Sequence, residues 1–316
     1  MTKRRWAYYL WTFGVVAGLV WLVYGVCIDI PFAHHDTLRY FGRYFLPPAG
    51  AELQDPLYPY SWVQGRPVAA VMEDFLFRHT RDFAGLSLAR LFCAALAAGL
   101  AFLTAVSLRR MGLDTLTSVL LGVLVSVLPG VANCVYMVWP HYILGAVSAS
   151  GAYLVWSSGG PLRIRSAAAG GLLFFSLLCY TVTAYVFLAF LAAALLWPGP
   201  EGWEKRRDDI VRGAALLAAC SAAYFIFAKA VLSSRFPEAL AGTYAVRQLN
   251  PSLAGLPAKL AMLFTDGAAF VLNPFSPWGW VPGGYAVLFL VLFALLRDRS
   301  WPLAPRLGRM AVWAFL

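Results

Sequence analysis

The sequence predicts an all-α, polytopic integral membrane protein with about eight transmembrane helices and a truncated ninth. Three observations predict it. Hydrophobic residues make up 61% of the chain and charged residues only 13%, well below the charge of a soluble domain. Apolar runs long enough to cross the hydrocarbon core of a bilayer recur along the whole chain. The basic residues gather in short loops between those runs, the pattern that sets membrane topology. The net charge of +10 therefore does not read as a nucleic-acid patch.

Lys3, Arg4 and Arg5 precede the first span, residues 6–27, and put the N-terminus in the cytoplasm. This span is long and lacks a small-residue cleavage pattern, so it does not read as a signal peptide. Residues 28–82 form a long outer loop holding seven of the fifteen acids and three of the four histidines. The second span, 84–107, returns to Arg109 and Arg110. A third starts near Thr115 and reaches Pro129 and Gly130, where Asn133 and the VYMVWPHY stretch mark an outer turn. The fourth, 142–156, ends at Arg163 and Arg165. The run 167–197 reads as two helices, up and down, meeting at a tight outer turn at 180–184. Lys205, Arg206, Arg207 and Arg212 then fall inside.

The seventh span is 214–232, followed by a second long outer segment, 233–282. Its apolar part is interrupted by Pro257 and Pro274 and reads as interfacial or re-entrant. An eighth span, 284–296, ends at Arg297 and Arg299. The stretch from Arg309 to Leu316 opens a ninth run that stops short, so the chain reads as truncated. This map places fifteen Lys and Arg with six acids inside, against ten with nine outside. Residues 1–316 form a single domain, without repeats or a separating linker. No phosphate-cradling glycine loop lies on the inner side, which argues against a cytoplasmic nucleotide site. Cys27, Cys93, Cys134, Cys179 and Cys220 sit singly and form neither a disulfide framework nor a metal set.

A loop of that size and polarity needs a functional reason, and it reads as the active-site loop of a membrane enzyme. Asp36 lies nine residues after Cys27, near where the first helix leaves the membrane, with Arg39 a turn away. A carboxylate there is placed to take a proton from an acceptor hydroxyl. An Asp–Arg pair on a solvated helix is the bland alternative, but Asp29, His34, His35, Tyr40 and Arg43 crowd the same span. His34, His35 and Asp36 could ligate a metal, though adjacent residues rarely share an ion, and no metal is expected.

Gly65-Arg66-Pro67 predicts a turn into a short amphipathic helix with Pro67 at its first position. Val68, Val71, Phe75 and Leu76 form its apolar face, and Glu73 or Asp74 supplies a secondary acid. Arg66 either closes the loop over the site or meets lipid phosphate. Tyr244, Arg247 and Lys259 supply the second outer segment with phosphate-binding groups. Tyr180 and His141 lie at outer turns and read as membrane-interface residues.

The early HHDTLRYF, the later GRPVAAVMEDFLF and the FSLLCYTVTAY break together resemble membrane glycosyltransferases of the C fold. The likeness is strongest to the bacterial O-antigen glucosyltransferase group. The resemblance implies a hexosyltransferase of the plasma membrane, with its N-terminus cytoplasmic and its site on the extracytoplasmic face. It implies an inverting transfer from a polyprenyl-phosphate sugar to a cell-envelope glycan or lipid-linked acceptor, with no further cofactor. Asp36 would be the catalytic base, and Arg39, Arg66, Tyr180, Tyr244, Arg247 and Lys259 would bind substrate. The group usually opens its loop with two neighbouring acids, whereas His35 stands here before a lone Asp36. One base suffices chemically, because a polyprenyl phosphate leaves as a stabilised anion that cations can hold. A lipid-linked oligosaccharide polymerase or ligase is the alternative, relying on Arg and His. A transporter fits less well, since the mapped spans look nearly free of ionisable groups apart from Lys229.

Overall fold

In the computed structural model, the described residues are 3–28, 61, 65–80, 82–196 and 203–235. The chain divides into two compact units, Met1–Ala245 and Val246–Leu316, and every described residue lies in the first. Asp36 and Arg39, like Tyr244, Arg247 and Lys259, fall outside the described residues, as do the eighth and ninth apolar runs.

The described residues are helical: α1 (Lys3–Ile28), α2 (Pro67–His79), α3 (Phe83–Arg110), α4 (Thr115–Val127), α5 (Pro129–Tyr136), α6 (Pro140–Trp156), α7 (Leu162–Cys179), α8 (Tyr185–Leu196) and α9 (Trp203–Arg235). Four stretches are long and apolar enough to cross a membrane: Trp6–Ile28, Phe83–Arg110, Leu162–Cys179 and Arg207–Val231. The helices α4 and α5 form a further apolar pair bent by 57°.

Local sequence explains where these helices begin. Asp82 caps α3 by accepting from the Gly85 amide at 2.6 Å, and Asp114 caps α4 by accepting from Thr117 at 2.9 Å. Pro67, Pro129 and Pro140 each occupy a first helical position, where a missing N–H costs nothing. Leu128 is extended before Pro129 and bends the chain between α4 and α5.

Helix α3 is the centre of the bundle. Its apolar window is 61% buried, against 28% for that of α1, and it packs on α1, α4, α5 and α6. The buried face is lined by Ala94, Ala97, Ala98, Ala101 and Ala105. Small side chains let backbones approach closely, which matters where lipid surrounds the helices and hydrophobic burial gives little drive to associate. On α4, Gly122 sits against the Ala101 carbonyl and Ala105. Trp6, Leu10, Trp11, Trp21 and Leu22 of α1 stay exposed, as lipid-facing residues do.

Contacts sort the helix ends into two groups. At one end, Arg90 of α3 donates to the Cys27 carbonyl, and Tyr24 donates to the Ser126 carbonyl at 2.6 Å. At the other, Arg110 donates to Leu154, Arg165 to Trp156, and the Trp156 indole to Asp209. The run 167–197 does reverse. Cys179 ends α7, a 3₁₀ turn spans Thr181–Ala184, and α8 runs back. Its Phe187 and Phe190 meet Tyr153, and Leu191 lies near Trp156 and Gly213.

One expectation becomes more specific and one needs correction. The apolar face of α2 formed by Val71 and Phe75 is exposed, while Ala69, Ala70, Glu73 and Phe77 turn into the bundle. The larger apolar groups suit lipid, and the alanines allow close approach. The second span is also not free of charge, because Arg90 is fully buried within it, its guanidinium over the Tyr136 ring at 5.4 Å.

Gly122→Ala would press a methyl group onto backbone atoms that cannot rotate away. We expect a loss of about 1–3 kcal/mol, read as a lower thermal midpoint in detergent. Gly171→Ala, on an open helix surface, should leave the midpoint unchanged or slightly raised. Equal midpoints for the two variants would refute the close approach.

Candidate functional site

At the end of the bundle where α1 finishes, four segments bring polar groups together. Glu73 is on the inward face of α2 and only 6% exposed. Ser61 Oγ donates to Glu73 Oε2 at 2.7 Å, and His141 Nδ1 stands 3.4 Å from Glu73 Oε1. His141 occupies the first turn of α6, directly after Pro140, and is itself buried. Its Nδ1 makes no hydrogen bond.

Arg66 closes the arrangement. Its amide donates to the Ser61 carbonyl at 2.9 Å, and its guanidinium lies 4.2 Å from the centre of the Tyr180 ring. Tyr180 packs on Tyr142 at 4.1 Å, and Tyr142 on Trp139 at 5.4 Å, so an aromatic row runs back from the arginine. Tyr224 of α9 donates to the Gly65 carbonyl at 2.6 Å. Gly65 has φ +74, and a methyl group there would meet the Tyr224 hydroxyl at 2.7 Å, so only glycine fits on both counts.

Two further turns fix the partners. Before α6, Val138 takes φ 59, a costly conformation for a β-branched residue, and its side chain is fully buried. The Trp139 amide reaches back to the Cys134 carbonyl at 2.8 Å, closing the end of α5 and aiming the chain into Pro140 and His141. After α7, Thr183 donates to the Tyr180 carbonyl at 2.6 Å and packs on Gly145, while Ser176 donates to the Gly145 carbonyl at 2.8 Å. Tyr180 is therefore presented by a hydrogen-bonded turn.

Burial dominates the electrostatics. It pushes the Glu73 carboxyl up to about 7, against the opposing effects of the Ser61 hydrogen bond and the Arg66 charge. Burial pushes the His141 imidazole down to about 3, and Arg66 adds to that. Near neutral pH the imidazole is uncharged and the carboxyl sits at the edge of ionisation, so the 3.4 Å contact is not a conventional ion pair.

The structure thus joins Arg66, Glu73 and Tyr180 from among the sequence candidates. Asp74 points elsewhere and pairs with Arg78 at 2.8 Å on the exposed side of α2. His141, read as an interface residue, lies inside the cluster, and Ser61, Tyr142 and Tyr224 were not singled out. The position of His141 immediately after a helix-opening proline, as the one histidine away from the long loop, was the available signal. Among the described residues no three His, Cys, Asp or Glu side chains converge on a metal-sized site.

The buried carboxyl should leave a mark on stability. An unfolded glutamate titrates near 4.5 and Glu73 near 7. Its contribution is then full below the lower value and lost as pH rises through the higher one. Wild-type protein should lose thermal stability relative to Glu73→Gln between about pH 5 and pH 8. A difference that stays constant with pH would contradict the burial of an ionisable carboxyl. No family model matches the chain, and no curated protein or solved structure matches it either.

Proposed function

We propose that the protein is an inverting membrane glycosyltransferase. It moves a sugar from a polyprenyl-phosphate donor to a cell-envelope glycan or lipid-linked acceptor on the extracytoplasmic face of a bacterial plasma membrane. The observation that carries this reading is Arg66 fixed on Tyr180 beside the buried Glu73, at the end of the bundle where α1 finishes. A cation near a membrane exit is what the leaving lipid phosphate requires, and Glu73 beside it is a candidate secondary acid.

In this reaction the acceptor oxygen attacks the anomeric carbon from the side opposite the phosphate. The bond between that carbon and the phosphate oxygen breaks, and its electron pair leaves with the polyprenyl phosphate. The acceptor proton passes to Asp36, kept ionised by Arg39. Arg66 holds the developing phosphate charge and Tyr180 lines the substrate, and the sequence offers Tyr244, Arg247 and Lys259 as further candidates for binding it. The reaction needs neither metal nor cofactor.

One observation favours a second reading. His141 beside Arg66 and Glu73 supplies the Arg and His on which a lipid-linked oligosaccharide polymerase or ligase would rely. The two readings part at Asp36. In the glycosyltransferase, Asp36→Asn should lower turnover per folded molecule about 10²–10⁴-fold with a polyprenyl-phosphate sugar. Retention of more than about a tenth of the rate would move the base away from Asp36.

The proposal also requires loop 28–82 and segment 233–282 to share one side of the membrane. Cysteines introduced at Glu52 and Ser252 should react with the same impermeant reagent from outside. Labelling from opposite sides would end the model of a shared site.

A further inference from the structure

We propose that Arg66 anchors a phosphodiester-binding site whose occupancy requires Glu73 to take up a proton. The identity of the ligand rests on the reading above; the coupling rests on the cluster itself. Two features have no role in packing. His141 Nδ1 is buried without a hydrogen-bond partner, 3.4 Å from Glu73 Oε1. Arg66 acts electrostatically on both Glu73 and His141, yet no ion pair joins it to Glu73. The guanidinium instead lies over Tyr180, 4.2 Å from the ring centre, and brings N–H donors that an anion could meet.

An anion at those donors and an ionised Glu73 would compete for the same positive charge in a poorly solvated place, where repulsion is weakly screened. The cheapest escape is protonation of Glu73. The proton then has a destination, because Glu73 Oε1–H can donate to the bare His141 Nδ1 while Oε2 keeps its bond from Ser61. Binding and proton uptake are thus two parts of one event: anion in, proton in, net charge unchanged.

Among the described residues, the other groups around Glu73 do not replace it in this role. His141 is held neutral in the relevant range, and Tyr142, Tyr180 and Tyr224 supply hydroxyls rather than charge. Asp74, Arg78 and His79 lie on the outer side of α2, where Asp74 pairs with Arg78 and His79 contacts the Phe75 carbonyl. With the free carboxyl titrating near 7, affinity should be full below that pH and fall about tenfold per unit above it.

The test uses the full chain in detergent and dihexyl phosphate, a phosphodiester of one fixed charge, so only the protein titrates. Wild-type affinity should fall at least about tenfold between about pH 6 and pH 8.5. Glu73→Gln should bind with the same affinity across that range, as tightly as wild type at the acid end. Arg66→Gln should bind weakly throughout. A flat wild-type curve, or a slope surviving in Glu73→Gln, would overturn the proposal without recourse to the Arg66 variant. Competition then identifies the source of the phosphodiester. Displacement by a polyprenyl-phosphate sugar but not by phosphatidylglycerol supports the donor, and equal displacement by phosphatidylglycerol overturns that assignment. No sugar transfer is measured, so this result stands apart from the Asp36→Asn assay.

Discussion

Close backbone approach along the alanine face of α3 is the constraint on which the rest of the described structure depends. Apolar surface facing lipid gains little from leaving it, so the helices need another reason to associate. Ala97, Ala101 and Ala105 against Gly122 supply one, because dispersion contacts and weak backbone interactions grow as the axes draw together. With α3 and α4 locked, α1 and α6 find fixed surfaces, and α6 in turn seats α7. Trp6, Leu10, Trp11, Trp21 and Leu22 of α1 are left exposed on the outside of the bundle, while Leu19 packs against it.

This core is apolar, which is why the polar cluster at its end is confined to one place. Glu73 enters the bundle on a helix face otherwise made of Ala69, Ala70 and Phe77. A carboxyl there can be tolerated by losing its charge or by finding donors, and it does part of both. Ser61 provides a donor, and burial raises the proton affinity. The partners come from three other elements: His141 from α6, Tyr180 from the turn after α7, and Tyr224 from α9. Each is set by a local device, respectively the strained Val138 turn, the Thr183 turn and the hydrogen bond to Gly65. Around this cluster the left-handed Val138 holds its turn in a costly conformation and the positive-φ Gly65 in one that favours glycine, as expected of a site that must keep unfavourable neighbours in position.

Arg90 shows the same economy inside the membrane region. Its guanidinium lies over Tyr136 and reaches the Cys27 carbonyl in the last turn of α1, where the carbonyls lack partners within the helix. A buried arginine of this kind ties α1, α3 and α5 together just beneath the cluster. An arginine within a span is also the kind of residue a transporter would use, but here it serves the end of α1, reaching the carbonyl next to Ile28.

The helical class, the four long apolar stretches among the described residues and the reversal at Tyr180 were legible in the sequence, because hydropathy, Pro and Asp signals act locally. Pro67, Pro129, Pro140, Asp82 and Asp114 could each be read as a helix start from neighbouring residues alone. Arg66 and Glu73 stood out through the polarity of their surroundings, whereas Tyr180 was a candidate only through the family resemblance. Which face of α2 turned inward depended on packing. Periodicity groups Val71 and Phe75 on one apolar face, but it does not say whether that face meets lipid or protein, and here it is Ala69, Ala70, Glu73 and Phe77 that face in. The tertiary structure alone separated Glu73 from Asp74, adjacent in sequence and about 100° apart around a helix. It alone brought His141 to Glu73 and Tyr224 to Gly65, pairs separated by 68 and 159 residues. Such pairings depend on which helices share an end of the bundle, a property of packing that no local pattern encodes.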